Sequence, residues 1–215
     1  MRYSFAVAVG LFSAAACAAQ TPASPMKVHS LRCEYRENPL GIDDPAPRLS
    51  WKLESPVRGE KQTAYRVLVA STRAALAAGR GDLWDSGKRP GGQSSQVVYS
   101  GRPLESRMQC YWKVRVWDKD GRPAPWSPVA EWSMGLLRTT DWQAQWISHR
   151  DSSPLHTSRE QLYLPPARYF RKEFRTAALA RRATLYTSAM GIYDAWLNGQ
   201  RVSDRMFAPG WSDYR

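Results

Sequence analysis

Residues 110–117 read Cys110-Tyr111-Trp112-Lys113-Val114-Arg115-Val116-Trp117, a strict alternation that decides how the rest of the chain is read. In a β-strand successive side chains point to opposite faces of the sheet. Cys110, Trp112, Val114 and Val116 therefore share one face, which reads as the core face. Tyr111, Lys113, Arg115 and Trp117 share the other. Residues 118–121 (DKDG) follow as a turn, because Asp side chains bond the backbone two residues on and Gly accepts the reversed conformation.

Working outward, the same signals recur at short intervals. Residues 48–53 (RLSWKL) alternate, and residues 63–70 (TAYRVLVA) form a β-branched and aromatic run. Residues 82–85 (DLWD) are a short strand closed by Ser86-Gly87, residues 95–99 another closed by Ser100-Gly101, and residues 130–134 a last one. A single helical interruption is expected at residues 72–79 (TRAALAAG), with Ser71 or Thr72 as N-cap and Gly79 as the stop. About seven strands in about a hundred residues, with turns at regular spacing, describe an all-β, two-sheet sandwich of the fibronectin type III or immunoglobulin kind over residues 27–137.

Composition supports a folded chain and limits what it can hold. The 215 residues include 10 Trp, with 43% hydrophobic and 12% aromatic side chains, which excludes a disordered protein. The length suits one large domain or two small ones and cannot hold a catalytic barrel plus accessory modules. Residues 1–19 read as a secretory signal peptide: Arg2, an apolar run from Phe5 to Ala16, then small residues ending at Ala19. The run is too short to span a bilayer, so a periplasmic or secreted location is expected. A rival reading takes Ala14-Ala15-Ala16-Cys17 as a lipoprotein signal with a lipid on Cys17. Cys33 and Cys110 remain after the leader and read as two buried thiols, with a bridge between them left open.

The net charge of +12 comes from 31 Lys and Arg against 19 Asp and Glu, spread along the chain. Nucleic-acid binders gather such charge into a stripe or a module. No nucleic-acid partner is expected here, and a weak attraction to acidic polysaccharide or to a membrane surface stays open.

A second unit is expected over residues 141–215. Residues 148–166 read as a long loop, and strands are expected at residues 168–174, 183–189 and 192–197. Asn198-Gly199 then supplies a type I′ hairpin turn, with Gln200-Arg201-Val202 starting the return strand. Four strands of a sandwich leave an open edge and half a core uncovered. The second unit is therefore expected to be incomplete within these residues.

Several segments in one order carry a family resemblance: Glu37-Asn38-Pro39-Leu40-Gly41-Ile42-Asp43, Pro47-Arg48-Leu49-Ser50-Trp51, Gln62-Thr63-Ala64-Tyr65-Arg66-Val67, Asp82-Leu83-Trp84-Asp85-Ser86-Gly87, Trp117-Asp118 and Trp126-Ser127. In the second unit Arg171-Lys172-Glu173-Phe174, Leu197-Asn198-Gly199 and Pro209-Gly210-Trp211-Ser212-Asp213-Tyr214 continue the series. Together they resemble the amino-terminal region of bacterial α-L-rhamnosidases, from residue 27 to residue 215. The resemblance implies a fibronectin-like sandwich followed by a partial jelly-roll accessory module. It implies an exported enzyme that removes terminal α-L-rhamnose from glycosides with inversion, its acid and base carried by an α/α barrel beyond residue 215. Inversion needs two carboxyl groups about 6.5–9.5 Å apart on opposite faces of the scissile bond. The implied partner is a rhamnose-containing glycoside or polysaccharide, met through that barrel. The alternative, in a different class, is a stand-alone, non-catalytic carbohydrate-binding or cell-surface protein.

One residue departs from the sandwich pattern. A tyrosine commonly follows the E–F corner leucine by six positions and ties the corner to the backbone. Counted from Leu104 that position is Cys110, and Tyr111 falls on the opposite face. The corner must lack this bond or obtain it elsewhere.

Within the chain no catalytic residue, no cofactor and no metal site is expected. His29, His149 and His156 stand at no ligand spacing, and Ser94-Ser95 and Ser152-Ser153 lack the glycines of a nucleophile elbow. The paired carboxylates Asp43-Asp44, Asp82/Asp85 and Asp118/Asp120 read as turn-capping side chains. Sugar binding is the remaining candidate, with Trp196, Asn198, Trp211, Asp213 and Tyr214 as its residues. Aromatic rings stack on sugar faces while neighbouring polar groups take the hydroxyls. The competing reading makes Trp196 and Trp211 packed aromatics, since Trp buries a large area.

Overall fold

The fold was obtained as a computed structural model that describes residues 23–149, 167–180 and 182–210. The signal-peptide and Cys17 readings lie outside the described residues. The chain divides between Trp146 and Ile147 into two units.

In the first unit β1 (Lys27–Cys33), β2 (Arg48–Glu54), β3 (Ala64–Ala70), the helix α1 (Arg73–Ala77), β4 (Trp84–Asp85), β5 (Arg89–Pro90), β6 (Val97–Val98), β7 (Gln109–Trp117) and β8 (Ala130–Ser133) follow in order. One sheet has the order β1-β2-β6 and the other β4-β3-β7-β8, with β5 also on β3. Every pairing between these strands is antiparallel. This corresponds to an A-B-E sheet facing a C-F-G sheet. The two short strands between C and E, β4 and β5, lie beside C, as in the fibronectin type III variant.

The core sits between the sheets, and the alternation of β7 builds its centre. Cys110, Trp112, Val114 and Val116 are buried against Val67 and Val69 of β3 and Leu49 and Trp51 of β2. Pattern alone would not place β1. Its pairing with β2 shifts between His29 and Arg32, so two residues oppose one, and Ser30 has φ of 50°. That bulge lets Val28, Leu31 and Cys33 all reach the core despite their uneven spacing.

The segment around Asn38-Pro39-Leu40-Gly41-Ile42 covers the free edge of β8. Asn38 Oδ1 accepts from the Glu131 N–H at 2.9 Å, the Pro39 carbonyl from the Ser133 N–H at 3.1 Å, and Ile42 donates to the Ser133 carbonyl at 2.9 Å. An edge strand left bare would invite pairing with another chain.

Two buried serines complete the ladders of the central strands. Ser86 Oγ accepts from the Val67 N–H at 2.8 Å, and Ser127 Oγ from the Val114 N–H at 3.0 Å. Gln62 is buried as well: its Oε1 accepts from Trp51 Nε1 at 3.1 Å, and its amide donates to the Gly91 and Gln93 carbonyls. The Gln62, Ser86 and Ser127 positions thus answer buried polar groups that would otherwise lack partners.

The corner bond missing at Cys110 is made by Tyr99. Its hydroxyl donates to the Arg102 carbonyl at 2.8 Å and lies 3.2 Å from the Leu83 carbonyl. Its ring meets Trp84 and Trp132 edge-on. Burial, with smaller contributions from its neighbours, pushes the phenol up to about 12, so it stays a hydrogen-bond donor at any ordinary pH. Tyr99→Phe, which keeps the ring and deletes the hydroxyl, is expected to cost about 1–2 kcal/mol. Urea unfolding of the two proteins side by side measures it, and equal midpoints would leave the corner without this tie.

On the outer face of the second sheet, α1 covers β3 and β7 through Leu68, Ala70, Ala75 and Leu76. Thr72 is its N-cap, accepting from the Ala75 N–H at 3.1 Å, and Gly79 at φ of 74° follows its end.

In the second unit the described residues contain one sheet, the hairpin of β9 (Trp196–Leu197) and β10 (Gln200–Arg201). Asn198 and Gly199, with φ of 50° and 80°, are the two positive-φ residues that a type I′ turn requires. Residues 168–174 and 183–189, read as strands, have no ladder partner among the described residues. Phe170, Phe174 and Leu185 are exposed, so nothing described faces their apolar side. A strand is fixed by its neighbours rather than by its own sequence.

Candidate functional site

The hairpin places Trp196 opposite Arg201. Asp194 precedes the strand by two residues, and Arg201 Nη2 donates to Asp194 Oδ1, which brings that carboxylate to the Trp196–Arg201 pair. Trp196 is 63% exposed. The packed-aromatic reading is therefore not met within the described residues. An open indole flanked by an ion-paired guanidinium and carboxylate offers a stacking face with donors and acceptors at its margin. Asn198 sits in the turn, where its conformation alone accounts for its presence. Trp211, Asp213 and Tyr214 lie outside the described residues, so Trp196 and Asn198 are the two predicted site residues that the structure places.

Four of the candidate carboxylates of the first unit, Asp44, Asp82, Asp85 and Asp118, are occupied structurally. Asp44, Asp85 and Asp118 each accept from the backbone N–H two residues on, at 2.8, 2.9 and 3.0 Å. Asp82 accepts from both the backbone and the hydroxyl of Ser71. Asp85 receives Arg66 through two guanidinium nitrogens, chiefly a side-chain hydrogen bond that holds its carboxyl below the ordinary range. Asp82, Asp85 and Asp118, all held below the ordinary carboxylate range, are anions at neutral pH and have no proton to give to a leaving oxygen.

The thiols are equally committed. Cys33 and Cys110 are buried and free, and burial raises both, Cys110 to about 12. Thiols of this kind are poor nucleophiles. His29 contacts Ser30 Oγ at 3.0 Å. Among the described residues no group of three His, Cys, Asp or Glu side chains stands ready to hold a metal ion.

One cluster escaped the sequence reading. On the outer face of β7 the cations of Lys113 and Arg115 both lie over the Trp126 ring, 4.9 and 4.6 Å from its centre. The strand parity had already put both on one side. What was not legible is that residue 126, in a loop eleven positions on, folds back beneath them.

Comparison with known proteins places this geometry. Residues 28–138 match the Rha78A-like, N-terminal immunoglobulin domain, and this covers more than half of the chain. The chain belongs to this family. Residues 178–215 match the α-L-rhamnosidase N-terminal domain. An α-L-rhamnosidase of Formosa agariphila is 36% identical over 189 residues, which are 87% of this chain and 20% of that protein. One from an Alteromonas species is 36% identical over 214 residues, 98% of this chain and 23% of the relative. The chain thus corresponds to an amino-terminal portion of α-L-rhamnosidases and spans 20% and 23% of the length of these two. Among solved structures, the Streptomyces avermitilis α-L-rhamnosidase complexed with L-rhamnose is 44% identical, with a TM-score of 0.56 over 58% of this chain and 12% of the other. The Aspergillus terreus enzyme, at 24% identity and a TM-score of 0.60, covers 86% of this chain and 20% of its own and agrees in fold. In this family the first unit is the immunoglobulin-like sandwich.

Proposed function

We propose that this chain serves as the accessory amino-terminal portion of an α-L-rhamnosidase, which hydrolyses terminal α-L-rhamnose from a glycoside or polysaccharide through a catalytic barrel encoded beyond residue 215. The observation that carries the reading is the succession, in one chain, of the sandwich at residues 28–138 and the α-L-rhamnosidase N-terminal match at residues 178–215. The structural commitment of Asp44, Asp82, Asp85 and Asp118 supports an accessory role over a catalytic one. The second unit is read as part of a jelly-roll module, whose bare apolar residues Phe170, Phe174 and Leu185 would be covered by its remaining strands. The leader-like pattern of residues 1–19 supports export to the periplasm or the outside of the cell as part of this reading. Trp196 at the hairpin supports a substrate-facing role for the second unit.

The test is rhamnose release from an aryl α-L-rhamnoside. The 215-residue chain alone is expected to release none, and a polypeptide extended through the downstream reading frame is expected to release it. Hydrolysis by the chain alone, or an extended protein that cleaves no rhamnoside, would sink the reading. In the active extended protein, Trp196→Ala is expected to raise KM for a polymeric substrate several-fold with kcat held.

A further inference from the structure

The outer face of the β3–β7 pair carries more charge than its fold explains. In the register of these strands Arg66 lies directly opposite Arg115, and Leu68 opposite Lys113. Like charges directly opposite one another on a sheet are destabilising. Arg66 is answered by Asp85, its Nε and Nη2 reaching the two carboxylate oxygens at 2.9 and 2.6 Å. Arg115 is not answered. Its guanidinium rests on Trp126, its Nε is buried without a hydrogen-bond partner, and among the described residues it forms no ion pair. Lys113 lies over the same ring and donates to the Leu76 carbonyl at the end of α1, 2.7 Å away. Burial and then the Arg66 charge hold the Arg115 guanidinium below its ordinary range, and burial and then Arg115 do the same to Lys113. Arg66, ion-paired with Asp85, and Lys113 and Arg115 over Trp126 form a partly dehydrated positive field.

We propose that this face binds the carboxylate groups of an acidic polysaccharide, with Arg115 as the anchor. A guanidinium seated over an indole is restrained in position, and with its Nε buried Arg115 would meet a carboxylate through its terminal nitrogens. Lys113 and Arg66 supply the surrounding field. The large apolar side chains of this face, Tyr111, Trp117 and Trp126, are half-buried, and none of the exposed large apolar residues of the first unit lies on β3 or β7. A protein partner would need a desolvated apolar centre that this face does not offer. A hydrated, charged polymer needs none. The choice of a sugar polymer rests on the proposed function, whereas the anion site itself does not.

The experiment uses the full chain and short oligogalacturonates at low ionic strength, followed by shifts of the Arg115 Nε–H and Trp126 indole N–H signals. Both signals are expected to move. Arg115→Gln is expected to weaken binding about tenfold or more, Arg115→Lys to recover part of it, and Lys52→Gln, which removes an exposed charge from the opposite sheet, to change it less than about twofold. Because Arg115→Gln also removes the opposition to Arg66, its melting temperature is expected to hold or rise. A marked fall in melting temperature would make Arg115 a structural residue and overturn the proposal. So would equal weakening by Lys52→Gln, equal binding of poly-L-glutamate, or no shift at the two signals. Binding is read on the chain by itself without rhamnose release, so its failure and that of the hydrolysis assay are separate results.

Discussion

Trp132→Ala is expected to lower the stability of the first unit by about 3–5 kcal/mol. The Trp132 side chain is fully buried between the sheets. Its ring meets Tyr99 edge-on at 6.2 Å, and its Nε1 donates to Met134 Sδ at 3.2 Å. Alanine would remove the ring and leave a cavity, because the sheets on either side are fixed by their ladders and cannot close onto it. Tyr99 would lose the surface that holds its hydroxyl at the corner, so the effect is expected to exceed that of Tyr99→Phe alone. Urea unfolding followed by near-UV circular dichroism measures it. Trp142→Ala, at an exposed site, is expected to stay within about 0.5 kcal/mol. Similar losses at both positions would mean that Trp132 is not the centre of the packing described here.

Asp118→Ala is expected to cost about 2–4 kcal/mol at neutral pH. The carboxylate is fully buried in the turn after β7. It accepts from the backbone N–H groups of Asp120 and Arg122 at 3.0 and 2.9 Å, and from Arg122 Nε at 2.9 Å. Burial alone would raise this carboxyl. The hydrogen bonds from Arg122, Ser24 and Asp120 together outweigh it and hold the group below the ordinary carboxylate range.

A carboxyl depressed in the folded state contributes stability that is fully present above its unfolded value, about 3.9, and is lost as pH falls through the folded one. Glu34, Asp82 and Asp85 are depressed in the same direction. The first unit is therefore expected to weaken steadily as the pH drops below about 4. Asp118→Asn removes one titrating group and should flatten that loss while lowering stability at pH 7. Unfolding midpoints at a series of pH values decide it, and an unchanged slope in the variant would remove Asp118 from the account.

The two residues illustrate different degrees of legibility. Asp118 stood in an Asp-Lys-Asp-Gly turn whose capping chemistry is local, so sequence alone predicted its bond to Asp120. It could not predict that Ser24, from the other end of the unit, closes over the same carboxylate. Likewise Cys110 could be seen to displace the expected corner tyrosine, but that Tyr99 takes over the bond required the fold, because Tyr99 follows β6 of one sheet whereas Cys110 lies in β7 of the other. In the second unit the Asn198-Gly199 turn was legible and forms, since its backbone preference is intrinsic. The strands read at residues 168–174 and 183–189 find no ladder partner among the described residues, since pairing is a property of neighbours.

Periodicity and turn chemistry by themselves determined the all-β class, the core face of β7, the position of α1 and the hairpin turn, because each depends on residues within a few positions of one another. The tertiary structure alone decided the bulge that turns β1 inward, the edge cover over β8, and the meeting of Arg66, Arg115 and Trp126. Those depend on register between segments distant in sequence. Register is set by which side chains fill a shared volume and which charges are left facing each other.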